Sequence, residues 1–137
     1  MKKITVYTDG GAINNPGPAA IGVVVIGSTN VTPKTYSQSI GNRTNNEAEY
    51  EAVIFALKKL KTLYGKKTVK QVPIQFYSDS KLMVNQLNHK FKIQNENIVP
   101  LFIKTWNLLL DYNDISFSYI PREKNTFADG LVKQAFK

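Results

Sequence analysis

The sequence contains no cysteine. Disulfides, cysteine-ligated zinc and a thiol nucleophile are therefore excluded. It has one histidine, His89. That excludes a multi-histidine metal site, gives no support to a Ser/His/Asp triad, and leaves His89 as an ordinary surface residue. No GxxxxGK[ST] loop is present to cradle a nucleotide phosphate. No apolar run approaches the ~18 residues of a membrane span. The opening MKKITVYTDGG lacks the apolar core of a signal peptide. A cytoplasmic protein without a membrane partner is expected. Acids are scarce as well: ten Asp and Glu face 18 Lys and Arg, a net charge of +8. Arginine is scarcest among the bases, with only Arg43 and Arg122.

What is present is ordinary globular composition, 42% hydrophobic and 20% charged. A chain of 137 residues suits one domain with its own core. No linker or repeat divides it, so residues 1–137 read as a single domain. The positive balance attracts polyanions, nucleic acid foremost. Lysine acts as a point charge toward phosphate, whereas arginine reads guanine edges. The lysine excess thus favours backbone contact over sequence readout.

Hydrophobic spacing gives the elements. Strands are predicted over 3–9, 19–27 and 31–40, the first stopping at Gly10-Gly11. Short links make these three an antiparallel meander. From Asn45 to Leu63 the period becomes helical, with Thr44 or Asn45 as N-cap. A strand over 73–78 ends at Asp79, and a short helix follows from Ser80 to Asn88. A helix over 97–110, a strand over 114–120 and a last helix over 126–136 complete the chain. The order implies an α/β fold with one mixed sheet and helices on its faces.

Each of the few acids can be considered singly. Asp9 and Asp79 both end an apolar strand, in YTDG and YSDS. On parallel neighbouring strands, both carboxylates emerge at the sheet end where open α/β sheets build their sites. An aspartate there also serves as a turn cap. Glu49 lies beside the Ala48/Ala52 stripe, where a carboxylate is costly unless paired or bound to metal. Glu47 and Glu51 lie on other faces and suit the helix dipole. Asp129 sits early in the last helix, as a solvated first-turn acid or a member of the set. Clustered carboxylates suit hard cations such as Mg²⁺. Two such ions ~3.5–4 Å apart support phosphodiester cleavage. A positive surface around a negative centre is what a metal-dependent nuclease requires, with the Lys-rich helix and loop segments, chiefly 58–70, expected to hold the backbone of the polyanion.

The stretches YTDGGAINNPGPAAIG (7–22), TNNEAEYEAVIFAL (44–57), YSDSKLMVNQL (77–87) and PREKNTFADGLVKQA (121–135) resemble the type 1 ribonuclease H family, in the family's order. The resemblance implies a ribonuclease H-like fold: a five-stranded mixed sheet, three meander strands plus two further parallel strands, flanked by helices on both faces. It implies an endoribonuclease that cuts the RNA strand of RNA–DNA hybrids with two Mg²⁺ or Mn²⁺ ions, leaving 5′-phosphate and 3′-hydroxyl ends. It places the four metal-binding carboxylates on Asp9, Glu49, Asp79 and Asp129. Among the helix glutamates only Glu49 follows Asn45 and Asn46 at the family's spacing. The resemblance further implies ribose contacts from the Gly10-Gly11 backbone and Asn15. It implies minor-groove contacts from Asn45 and Asn46 and a DNA-phosphate contact from Thr44. Amide side chains suit this task because both partners of a 2′-hydroxyl bond are available to them.

Three departures stand out. Tyr119 occupies the position, ten residues before Asp129, where many members carry histidine, leaving Glu123 or Lys124 to substitute. Lys81 replaces a glutamine that contacts RNA in some members, keeping a phosphate-compatible charge. No accessory hybrid-binding module is apparent, so a monomer with salt-sensitive binding is expected. Two other readings stay open: a related nuclease that also cuts double-stranded RNA, and a catalytically silent nucleic-acid-binding module.

Overall fold

The computed structural model describes residues 2–28 and 30–137. Five strands, β1 (Ile4–Ala12), β2 (Gly17–Ile26), β3 (Lys34–Arg43), β4 (Ile74–Ser78) and β5 (Ile115–Tyr119), form one sheet in the order β3-β2-β1-β4-β5. The first three are antiparallel neighbours, and β1, β4 and β5 run parallel. The expected mixed sheet is therefore found. Among the described residues five α-helices accompany it, α1 (Asn45–Tyr64), α2 (Lys66–Gln71), α3 (Lys81–Leu87), α4 (Val99–Leu109) and α5 (Thr126–Ala135), with a short 3-10 turn at Arg122–Lys124. No helix among the described residues is long and apolar enough to cross a membrane.

β2 is buried from Ala19 to Val25. It is an interior strand with helices over both faces, so its residues read as a continuous apolar run. The larger core lies on the α1 face, where Ile4, Val6, Val23 and Phe76 meet Tyr50, Val53, Leu57 and Leu60. On the opposite face, Ala128 and Leu131 of α5 cover Val24. Tyr50 donates a 2.7 Å hydrogen bond to Gln86 Oε1, tying α1 to α3. The Tyr112 hydroxyl donates to the Leu57 carbonyl and anchors the chain after α4.

β1 does not stop at Gly10-Gly11. It continues to Ala12, because Gly10, Gly11 and Ala12 pair with Ile21, Ala20 and Ala19 of β2. Gly10 serves close approach instead of a turn. A Cβ on Gly10 would lie 2.3 Å from the Ala48 backbone. This contact seats the first turn of α1 against the sheet. Gly10→Ala should destabilise the fold by roughly 2–3 kcal/mol, as overpacking does, read from the urea midpoint. α2 was not anticipated from the sequence: Val69 is its one buried residue, and six residues are too few to reveal a period.

Candidate active site

The parallel pairing of β1 and β4 puts Thr8 opposite Ser78. Asp9 and Asp79 follow at adjacent positions at one end of the sheet. α1 starts at this same end. Thr44 caps it in a reciprocal box: the Glu47 N–H donates to Thr44 Oγ1 (3.1 Å), and the Thr44 N–H donates to Glu47 Oε1 (2.8 Å). This fixes the helix rotation, so that Glu49 shares the buried face of Ala48, Ala52 and Val53. The Gly10 N–H donates to Glu49 Oε1 at 3.0 Å and aims the carboxylate across β1.

One carboxylate oxygen from each of Asp9, Glu49 and Asp79 lies within 4.8 Å of the others. Asp9 and Glu49 are 7% and 9% exposed. Asp129, on α5, is partly exposed, lies 3.0 Å from Lys133 Nζ, and lines a cavity of about 340 Å³ with Asp9, Gly10, Asn45, Glu49 and Arg122. The structure thus brings Asp9, Glu49 and Asp79 into one cluster and places Asp129 on the wall of the adjoining cavity. Glu47 is used in the cap, and Glu51 pairs with Arg43 at 3.2 Å.

Buried like charges raise one another's proton affinity. Burial, then the charges of Asp79 and Asp129, push Asp9 up to about 8. Burial and the charges of Asp9 and Asp79 raise Glu49 well above the carboxylate range, while Arg122 acts in the opposite direction. Without a cation, Asp9 therefore holds a proton near neutrality. The donors are hard oxygens only, which suits Mg²⁺ or Mn²⁺ over softer metals.

The sign of the pH effect follows. As pH rises above the unfolded value of 3.8, the unfolded Asp9 ionises first and native Asp9 resists until about pH 8. Its contribution to stability is present below the lower value and is lost as pH climbs through the upper one. The metal-free Tm should accordingly carry a falling component between pH 4 and 8. A divalent cation must expel these protons, so the Mn²⁺-induced rise in Tm should be larger at pH 8 than at pH 6 by differential scanning calorimetry.

The polar residues expected at the substrate lie close by. Asn15 and Asn45 form one unit: the Asn45 N–H donates to Asn15 Oδ1 (2.8 Å), and the Ala12 N–H donates to Asn45 Oδ1 (2.8 Å). Asn46 and Lys81 are exposed, Lys81 opening α3 two residues after Asp79. Gly11 lines the cavity, whereas the Gly10 N–H is engaged by Glu49.

The loop after β5 departs from expectation. Arg122 approaches the centre, its Nε 3.8 Å from Asp79 Oδ2. Glu123 and Lys124 are exposed, Lys124 lining a separate cavity with Tyr7 and Phe127. Tyr119 is 46% exposed at the end of β5. Arg122 was legible as one of two arginines, placed just before the helix of Asp129, whereas the family pattern points to a histidine in this loop. The lysines of 58–70 also sit differently. α2 leads into the amino end of β4, the end opposite the carboxylates, and Lys61 is paired with Asp111. The bases at the centre are Arg122, beside Asp79, and Lys133, beside Asp129.

A reverse transcriptase-like family model matches residues 7–135. A ribonuclease H1 isolated from compost by a metagenomic approach superposes with a TM-score of 0.90 at 40% identity, covering 98% of this chain and 96% of that one. The chain belongs to the type 1 ribonuclease H family. That compost ribonuclease H1 has also been solved in complex with an RNA/DNA hybrid (38% identity, TM-score 0.87, 96% of this chain and 95% of that one). The bifunctional protein Rv2228c of Mycobacterium tuberculosis is 33% identical over 97% of this chain. The chain spans about a third of that relative's length (35%). Ribonuclease HI of Halobacterium salinarum is 31% identical over 97% of this chain and 64% of its own length. The family is metal-dependent, and the Asp9, Glu49 and Asp79 cluster of this member could hold a metal ion.

Proposed function

We propose that this chain is an endoribonuclease that hydrolyses the RNA strand of RNA–DNA hybrids, leaving 5′-phosphate and 3′-hydroxyl ends. The observation that carries this reading is the convergence of Asp9, Glu49 and Asp79 within 4.8 Å in a chain of net charge +8. Asp9, Glu49, Asp79 and Asp129 would hold two divalent cations, Mg²⁺ or Mn²⁺. When bound, these ions activate the attacking water and offset charge at the scissile phosphate.

The chain's own residues do the rest. Gly10 orients Glu49, and Arg122 brings positive charge to the phosphate side of Asp79. With Asp9 raised to about 8 and Glu49 raised as well, protons and cations compete for the centre near neutral pH. Gly10, Gly11, Asn15, Thr44, Asn45, Asn46 and Lys81 form the substrate surface. The Asn15–Asn45 pair presents amides beside the cavity, where 2′-hydroxyls distinguish RNA from DNA. The solved hybrid complex of the compost relative supports this substrate.

The test is a labelled RNA–DNA hybrid incubated with Mg²⁺ and, separately, Mn²⁺. Cutting confined to the RNA strand is expected. An intact hybrid under both ions would refute the reading. Cutting of a double-stranded RNA control would widen the substrate class.

A further inference from the structure

Asn125 stands between β5 and α5, three residues after Arg122 and four before Asp129. It is 1% exposed. An asparagine immediately before a helix ordinarily turns its side chain onto the first N–H groups. Asn125 makes no such cap bond. Its Nδ2 instead donates 3.0 Å to the carbonyl of Thr8, the residue before Asp9 and 117 positions away in sequence. Its backbone serves the other side of the centre. The Asn125 N–H donates to the Arg122 carbonyl (3.0 Å), and the Asp129 N–H donates to the Asn125 carbonyl (3.1 Å). One buried residue thus touches the backbone beside Asp9, at Arg122 and at Asp129. Its Oδ1 is buried without a protein partner. A side chain kept buried, half-satisfied and withdrawn from its helix is committed to holding a geometry.

We propose that Asn125 is a positioning residue, whose bond to Thr8 sets the placement of Asp129 on α5 relative to Asp9 on β1 and thereby the cation affinity of the centre. This rests on the proposed assignment of those two carboxylates as ligands. Asn125 touches neither cation nor substrate. It acts through the backbone that carries the acids, as outer residues do at other metal centres, where their loss costs about 10–100-fold in affinity.

Two variants separate positioning from simple structural support. Asn125→Ala removes both the donor and any cap. Asn125→Ser supplies a good helix cap but is too short to reach Thr8. Mn²⁺ affinity is measured by isothermal titration calorimetry on the full chain, with hybrid cleavage followed across Mn²⁺ concentrations. Both variants should bind Mn²⁺ about 10-fold or more weakly. Their kcat should fall at limiting Mn²⁺ and recover at high Mn²⁺, with KM for the hybrid unchanged. Wild-type affinity in both variants, or its restoration by serine, would overturn the proposal. Failure of both to fold would also overturn it, making Asn125 a structural anchor alone. If the wild-type chain itself binds no Mn²⁺ and cuts no hybrid, the proposed function fails instead.

Discussion

Asp9→Asn should reduce hybrid cleavage on the order of 10³-fold or more while leaving hybrid binding nearly intact. The substitution preserves shape and removes only charge. Asp9 is the most central of the acids: β1 delivers it between Glu49 from α1 and Asp79 from β4, and the charge of Asp129 reaches it across the cavity. Loss of its charge would deprive a bound cation of an anionic ligand. The same change relieves the buried repulsion. Metal-free Asp9→Asn protein should therefore melt above wild type at pH 8, where native Asp9 is held near its raised value of about 8. A protein made more stable and less active by one atom exchange is the pattern of a strained functional site. Gel assays of cleavage, filter binding and calorimetry read the three quantities. Retained cleavage would remove Asp9 from the centre.

The second large effect separates two neighbouring glutamates. Glu49→Gln should lower cleavage about 10²–10³-fold, because Glu49 is the buried acid aimed by Gly10. Glu47→Gln should keep activity within a few-fold. Its carboxylate accepts from the Thr44 N–H, and glutamine satisfies a capping box nearly as well. The Glu47 change should cost less than ~1 kcal/mol of stability. A severe Glu47 and mild Glu49 phenotype would mean that α1 presents a different face to the sheet.

Much of this arrangement was legible in the residues. Strict alternation gave β1, β4 and β5, and a change of period gave α1, because those patterns arise from burying one face of a regular element. Glu49 was readable because a lone acid on an apolar stripe needs a reason to be there. Matched strand ends in YTDG and YSDS gave the two aspartates once the strands were parallel. Features that depend on tertiary partners were not visible. β1 runs through Gly10-Gly11 only because β2 pairs with it there. α2 is a single short helix with one buried side chain. Arg122 reaches Asp79 through the path of the loop after β5, and no local pattern encodes that path. The lysines of 58–70 read as a duplex grip from composition, yet the chain folds them to the far end of the sheet. Composition gives the amount of charge, and topology decides where it acts.

Anomalous diffraction from a crystal soaked in Mn²⁺ tests most directly whether the four carboxylates act together as one cation centre. Strong density between Asp9, Glu49, Asp79 and Asp129 is predicted, and it should vanish or weaken sharply in Asp9→Asn. Density elsewhere, with that space empty in an actively cleaving protein, would contradict the account.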